Sequence, residues 1–138
     1  MIRPICKDTE LLSKPAVQAS NADLPLARDL ADTLLANRQR CVGMAANMIG
    51  EPKNIIAILP PGAAAPIVML NPRILARAGA YETQEGCLSL PGERTVTRYR
   101  SVTVRWLDLS MKPQKRSFEG YIAQIIQHET DHCAGILI

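Results

Sequence analysis

The stretch Gln127-His128-Glu129-Thr130-Asp131-His132 near the end of the chain contains both of its histidines, four residues apart, with a glutamate between them. Residues four apart lie on one face of an α-helix, so His128 and His132 can bind one cation while Glu129 reaches a water beside it. The same pattern also occurs by chance in surface helices of unrelated proteins. We interpret it as a hydrolytic metal site, because imidazoles on a buried helix need polar partners.

Residues on both sides of this stretch predict that it lies on a buried helix. Ile122, Ile125 and Ile126 recur at the spacing of one helical face, the pattern of a helix that packs on a core. Gly135 follows at a position suited to a left-handed C-terminal cap. The metal motif is therefore expected on the last helix of the domain.

A catalytic site of this kind keeps three protein ligands and one open position. The third ligand must come from upstream, because Cys133, the nearest candidate, points about 100° away from the histidine face of the helix. Cys87 is the best candidate, since Gly86 before it permits an unusual backbone conformation close to a metal. The alternative for Cys87 is a small buried apolar side chain, the common role of a free cysteine.

Two further stretches complete a pattern with the histidine motif. Residues 41–48 read Cys-Val-Gly-Met-Ala-Ala-Asn-Met, and residues 85–89 read Glu-Gly-Cys-Leu-Ser. In this order the three stretches resemble the peptide deformylase family, whose motifs read Gly-x-Gly-Leu-Ala-Ala-x-Gln, Glu-Gly-Cys-Leu-Ser and Gln-His-Glu-x-Asp-His. The second and third motifs are complete here, and the similarity extends over nearly the whole chain.

The resemblance implies hydrolysis of the N-formyl group from the initiator methionine of new polypeptides. It implies one divalent metal ion bound by Cys87, His128 and His132, with Fe²⁺ as the usual ion in the cell and Zn²⁺, Ni²⁺ or Co²⁺ as substitutes. A thiolate and two imidazoles are also the donors that borderline-soft divalent ions select. Glu129 would carry the proton from the attacking water to the leaving amine, and the backbone NH of Leu88 would stabilise the oxyanion.

Met48 stands where the family has a glutamine that donates to the oxyanion. A thioether has no proton to donate, and losing one such donor costs about 3 kcal/mol, or roughly a hundredfold in rate, in other enzymes. Asn47 beside it is expected to face another way. Cys41 replaces a glycine of the first motif and is either a second thiol at the site or a buried apolar cysteine.

These departures leave three interpretations of the function. The first is a deformylase-type hydrolase, the second a weak or respecialised amidase, and the third a noncatalytic protein that binds formylated or other peptides. The complete ligand set together with Glu129 favours the first, because a binding protein has no need of a general base.

Substrate contacts follow only from the resemblance. The implied pocket for the methionine side chain consists of Val42, Tyr121, Gln124 and Ile125, of which Ile125 is equally suited to the core. Arg94 would bind the peptide backbone, and Arg98 would pair with Glu85 to hold the cysteine loop; a solvated arginine is the alternative for each. The other implied substrate-binding positions are Gly43, Met48, Glu85 and Gly86.

Composition limits the class of protein. A chain of 138 residues that is 47% hydrophobic predicts a single domain over residues 1–138. The sequence has no run long enough for a membrane span and no signal peptide at its start, so we expect a cytoplasmic protein with reduced cysteines and no membrane partner. A net charge of +3 from dispersed residues does not indicate specific nucleic-acid binding, although transient contact with the ribosome is compatible with it. Nothing in the sequence indicates an oligomeric state.

Hydrophobic periodicity predicts the fold class. Apolar residues recur at helical spacing from Leu24 to Arg40, and strand-like patterns occupy residues 54–59, 66–70, 95–109 and 115–118. Strands grouped between an early and a late helix indicate an α+β fold, with antiparallel or mixed sheets around a C-terminal metal-binding helix.

Overall fold

The computed structural model describes residues 1–87 and 89–137. Its α-helices are α1 (Thr9–Leu12), α2 (Leu24–Ala36) and α3 (Gly120–Cys133), and 3-10 helices occupy Asn21–Asp23 and Ala46–Ile49. Its strands are β1 (Gly43–Ala45), β2 (Ile55–Ile58), β3 (Ile67–Cys87), β4 (Leu90–Leu107) and β5 (Pro113–Glu119). No helix in this part of the chain has both the length and the apolar character needed to cross a membrane.

The five strands form one sheet in chain order, from β1 at one edge to β5 at the other. All four pairings between them are antiparallel. β3 and β4 make a long hairpin whose pairing runs from Leu70 opposite Leu107 to Cys87 opposite Leu90. The predicted α+β fold is therefore confirmed, and the pairing among these strands is antiparallel rather than mixed.

The sheet lies between α2 and α3, because successive residues of a strand face opposite sides. In β2, Ile55 and Ala57 belong to the apolar cluster that also contains the buried residues of α2. Ile56 and Ile58 belong to the cluster that contains the buried residues of α3. Both helices thus cover a core built on the same strand, and α3 is held firmly against the sheet.

The predicted helix over Leu24 to Arg40 is present but ends earlier, at Ala36. The Asn37 side chain explains the early end, because its Nδ2 donates to the carbonyl oxygen of Thr33 at 2.8 Å. This side-chain hydrogen bond competes with the backbone hydrogen bonds that would continue the helix.

The end of α3 matches the prediction from Gly135. The helix stops at Cys133, and Gly135 follows with φ +80°. A Cβ at this position would lie 2.5 Å from the carbonyl oxygen of Ser13. Both the left-handed backbone and the close approach therefore require glycine.

Candidate metal centre

α3 and the end of β3 bring together three side chains that could hold a metal ion. His128 and His132 lie on the buried face of α3, and Cys87 is the last residue of β3. Their donor atoms all lie within 4.8 Å of one another. The two imidazoles meet edge to face, with their Nε2 atoms 3.0 Å apart. The three residues that the sequence indicated as ligands thus converge on one point.

The donor set and its spacing fit a divalent transition-metal ion. Tetrahedral binding with metal–nitrogen bonds of about 2.0–2.1 Å places two imidazole nitrogens roughly 3.3 Å apart, close to the 3.0 Å between the two Nε2 atoms here. A thiolate and two imidazoles suit borderline-soft ions. Cys133 lies outside this group, with its Sγ 3.9 Å from the carbonyl oxygen of Ile55, and burial raises the pKa of its thiol to about 12.

Glu85 supports His128 on the side of the ring away from the other ligands. Its Oε1 lies 2.7 Å from Nδ1 of His128 and accepts from Arg98 Nη2 at 2.7 Å. Gln124 Nε2 donates to its Oε2 at 2.8 Å, and Arg98 Nη1 reaches Asp131 Oδ2 at 2.6 Å. The predicted pairing of Arg98 with Glu85 is confirmed, and Asp131 joins the same network instead of the ligand group.

These contacts keep Glu85 charged. Burial by itself would raise the pKa of this carboxyl group, but hydrogen bonds from His128, Arg98 and Gln124 outweigh burial and lower the pKa to about 2. An ionised carboxylate accepts a hydrogen bond from a protonated Nδ1, so Nε2 of His128 would be the atom available to hold a metal ion. Glu85 therefore fixes both the tautomer and the orientation of this ligand.

The two histidines differ in their affinity for protons. Burial lowers the pKa of His128, but the negative charge of Glu129 and hydrogen bonds with Cys87 and Glu85 outweigh burial and raise it to about 10. Burial and the positive charge of His128 lower the pKa of His132 to about 3. Because a metal takes neutral imidazoles, binding of a cation would release the extra proton from His128.

Glu129 is a buried acid beside the ligands. Its side chain is 4% exposed, and its Oε1 has no hydrogen-bond partner within the residues described. Burial raises the pKa of Glu129 to about 7, although the positive charge of His128 opposes this. Gly43 of β1 packs so closely that a Cβ there would lie 2.7 Å from Glu129 Oε2. A carboxyl group in this state can both accept and return a proton near neutral pH.

A cleft of about 530 Å³ opens beside the three ligands. Its walls include eight of the positions that the resemblance implied for the substrate: Val42, Gly43, Met48, Glu85, Gly86, Tyr121, Gln124 and Ile125. Arg94 does not line the cleft, and its Nη1 is buried without a hydrogen-bond partner among the described residues. Leu88 lies outside the residues that the structure describes.

Three cleft-lining residues were not anticipated as contacts. They are Arg40, Gln84 and Glu93, and Cys41 lines the cleft as well. Of the two roles considered for Cys41, its position at the cleft agrees with a second thiol near the site. Burial, and then the negative charges of Glu129 and Cys87, raise its pKa to about 11, so the thiol stays protonated at neutral pH.

The 3-10 helix Ala46–Ile49 directs two neighbouring side chains to different places. Met48 is 1% exposed, packs in the core and lines the cleft. Asn47 is equally buried but turns to α3, where its Nδ2 donates to the carbonyl oxygen of His132 at 2.8 Å. The expectation that Asn47 faces another way than Met48 is thus confirmed. Its contact with His132 was missed, because an isolated asparagine between apolar residues has no sequence pattern that would reveal it.

Comparison with known proteins agrees with this geometry. The sequence profile of the polypeptide deformylase family matches residues 2–138. A peptide deformylase of Clostridium beijerinckii is 46% identical over 138 residues, the full length of both chains. The crystal structure of a peptide deformylase from Legionella pneumophila superposes with a TM-score of 0.88 at 37% identity, covering 99% of this chain and 83% of that one.

A further structure resembles this one in nearly all of its length. It is the Met-Ala-Ser-bound class I type b peptide deformylase from Acinetobacter baumannii, at 32% identity and a TM-score of 0.85, covering 99% of this chain and 97% of that one. The profile match over almost every residue, the full-length relative and the shared fold lead to one conclusion. The chain belongs to the peptide deformylase family.

Proposed function

We propose that this protein is a metal-dependent hydrolase that removes the N-formyl group from the N-terminal methionine of new polypeptides. The observation that carries the proposal is the convergence of Cys87, His128 and His132 near the buried Glu129, with Cys87, His128 and Glu129 lining a cleft. The relatives named as peptide deformylases support it. Met-Ala-Ser bound to the Acinetobacter baumannii relative supports a peptide with an N-terminal methionine as the product.

The three donor side chains indicate which class of metal ion the site would bind. Cys87, His128 and His132 would hold one divalent ion, which we propose to be Fe²⁺ in the cell, with Zn²⁺, Ni²⁺ or Co²⁺ able to replace it. When bound, such an ion acidifies a water and polarises the formyl carbonyl. Glu85 keeps His128 aligned for this ligand set through the 2.7 Å contact at Nδ1.

Glu129 performs the proton transfers. Its carboxylate accepts a proton from the attacking water and returns it to the nitrogen that leaves as the free amine. Gly43 confines the carboxylate on one side, since no side chain fits between them. Oε1 of Glu129 has no hydrogen-bond partner among the described residues, so it is available to accept from the water.

The developing oxyanion needs hydrogen-bond donors from the protein. We propose that the backbone NH of Leu88 is one of them. Met48 lines the cleft but offers only a thioether, which cannot donate. We therefore expect slower turnover than with an amide at position 48, by roughly a hundredfold.

The remaining cleft residues would bind the peptide. Val42 and Ile125 offer apolar contacts to the methionine side chain, while Tyr121 and Gln124 make the same wall more polar. Gly43 and Gly86 allow the peptide backbone to approach closely. We propose that Arg94, which does not line the cleft, contacts the peptide backbone outside it.

The place of action follows from the substrate. An enzyme that acts on the formylated start of new polypeptides works where they are made. We therefore propose a cytoplasmic location and a transient contact with the ribosome during substrate delivery.

The decisive experiment is formate release from formyl-Met-Ala-Ser by anaerobically purified, iron-loaded protein. We expect turnover in the wild type and none in the Glu129→Ala variant, with equal metal content in both. Absence of turnover in a folded, metal-replete wild type would contradict the proposal and favour a respecialised amidase or a peptide-binding protein.

A further inference from the structure

Asn47 makes a polar contact with a metal-binding residue from the opposite side of the core. The residue is 1% exposed, and its Nδ2 donates to the backbone carbonyl oxygen of His132 at 2.8 Å. The bond joins the 3-10 helix Ala46–Ile49 to the last turn of α3 across 85 positions of sequence. It fixes the backbone of a proposed ligand, not its ring.

The same two residues also hold two of the buried polar side-chain atoms that lack partners in the described part of the chain. One is Oδ1 of Asn47, an acceptor, and the other is Nδ1 of His132. A histidine that binds a metal through Nε2 carries its proton on Nδ1, and ligating histidines almost always donate that proton to a neighbouring oxygen. A buried acceptor and a buried donor are therefore both unpaired on two residues that one hydrogen bond already joins, although these two atoms do not bond each other in the structure.

The other ligating histidine shows how such a requirement is met. His128 Nδ1 has Glu85 Oε1 at 2.7 Å. Among the described residues no carboxylate holds the equivalent position for His132, whose Nδ1 is unpartnered there. The side chain that reaches His132 from outside α3 with a hydrogen bond is the Asn47 amide.

We infer that Asn47 is the positioning residue for His132, as Glu85 is for His128. Its Nδ2 anchors the His132 backbone in the structure, and its Oδ1 would accept the Nδ1 proton of His132 through a contact that forms only when Nε2 binds the metal. The inference rests on the proposed metal site. It assigns a role to a residue that lies outside the cleft and touches no substrate.

Metal affinity of the purified protein tests the inference without depending on catalysis. Competition for Zn²⁺ against a chromophoric chelator should show that Asn47→Ala weakens binding about 10- to 100-fold, the range for lost supporting contacts around a metal. The absorption bands of the Co²⁺-substituted protein should shift in the same variant, because the ring of His132 is no longer held. Wild-type affinity and unchanged Co²⁺ bands in Asn47→Ala would overturn the inference.

Asn71 provides a matched control for general destabilisation. Its side chain also bridges backbone groups, accepting from Ala19 N at 2.8 Å and donating to Ala19 O at 2.9 Å, and among the described residues it makes no hydrogen bond with the three proposed ligands. Asn71→Ala should lower the melting temperature and leave Zn²⁺ affinity unchanged. An equal loss of affinity in both variants would overturn the specific role of Asn47.

Asn47→Asp tests the role of Oδ1 separately from that of Nδ2. It also replaces Asn47→Ala as the test if that variant does not fold. Aspartate keeps an oxygen to accept the Nδ1 proton but removes the donor to the His132 carbonyl. We expect Zn²⁺ affinity within severalfold of wild type and a protected Nδ1 proton in the NMR spectrum of the Zn²⁺-bound protein. Loss of affinity as large as in Asn47→Ala would overturn the role of Oδ1. Formate release is measured separately, so failure of the deformylase proposal would be recognised independently.

Discussion

Met48 occupies a position of the first motif where the side chain affects both the proposed reaction and the packing of the core. It lines the cleft beside the ligands, yet its thioether cannot donate a hydrogen bond. It also fills part of the core, so position 48 serves packing at the point where an amide would serve the oxyanion. A methionine at position 48 thus favours packing of the core, whereas an amide there would favour stabilisation of the oxyanion.

We expect Met48→Gln to raise kcat for formyl-Met-Ala-Ser by about tenfold to a hundredfold, because the side-chain amide supplies a missing donor. The same change should lower the free energy of unfolding by about 1–3 kcal/mol, since a polar group enters a tightly packed site. Discontinuous formate assays measure kcat, and urea unfolding measures the free energy of unfolding. Met48→Leu is the control, with no donor and nearly the same volume, and should leave kcat unchanged. An unchanged kcat in a folded, metal-loaded Met48→Gln protein would show that the oxyanion needs no further donor.

Glu85 is the second residue with a defined prediction, because it joins a ligand to a buried arginine. Removal in Glu85→Ala should weaken Zn²⁺ binding about 10- to 100-fold, as His128 loses its acceptor. It should also cost about 3–5 kcal/mol in unfolding free energy, because Arg98 stays buried with Asp131 as its remaining partner.

Isothermal titration and urea unfolding measure these two effects of the Glu85 substitution. Glu85→Gln retains an acceptor for His128 and should recover part of the metal affinity. Glu82→Ala, on an exposed position of the same strand, should change neither quantity. Equal metal affinity in wild type and Glu85→Ala would refute the positioning role of Glu85.

At the scale of single elements, α3 depends on how it ends. Gly135 combines a left-handed backbone with a close approach to the segment after α1, where a Cβ would lie 2.5 Å from Ser13 O. The neighbouring chain is held there by backbone bonds, including Ala16 N to Cys133 O at 2.7 Å. The last turn of the metal-binding helix is therefore fixed by backbone contacts and not by side-chain packing alone.

Gly50 offers a matched comparison for this cap, because it has φ +89° but open space around the position that a Cβ would take, with no described neighbour within 4 Å. Gly50→Ala should cost about 1 kcal/mol from backbone strain alone. Gly135→Ala should cost about 1–3 kcal/mol more, because the chain must also move away from the new methyl group. Urea unfolding of both variants tests this, and equal losses would show that the contact with Ser13 gives way without cost.

At the scale of the whole molecule, the metal site lies between parts that fold for other reasons. The sheet and the two helices bury two apolar clusters, and Cys87 packs against one of them. Cys87 comes from the end of the β3–β4 hairpin and the histidines from α3. A bound ion would therefore join two elements that are already in place.

We expect metal removal by a chelator to lower the melting temperature without unfolding the protein at 25 °C. A ligand that binds only the folded state stabilises it by mass action, about 2.7 kcal/mol at a hundred times its dissociation constant. Far-ultraviolet circular dichroism should stay the same after chelation, and the melting temperature should recover when Zn²⁺ is added back. Loss of the dichroism signal on chelation would mean that the core cannot hold the site by itself.

The sequence alone determined the features that depend on local spacing. The four-residue interval places His128 and His132 on one face of α3 in any conformation that is helical, and Gly135 ends that helix through its own backbone freedom. Alternation at Val102 and Val104 predicted a strand with one buried face, and both side chains are buried. These features follow from helix and strand periodicity, which depends only on the spacing of residues close together in sequence.

Only the tertiary structure decided which distant residues meet. β3 is irregular between Leu70 and Arg73 and again between Ile74 and Ala76, and each added residue changes the face on which later side chains lie. Two such additions restore the original face, so Glu85 meets His128 only because α3 packs on this part of the sheet, with Glu85 Oε1 2.7 Å from His128 Nδ1. Asn47 reaches His132 for the same reason. Such contacts join segments far apart in sequence, so their geometry depends on the packing of the whole core and not on any local pattern.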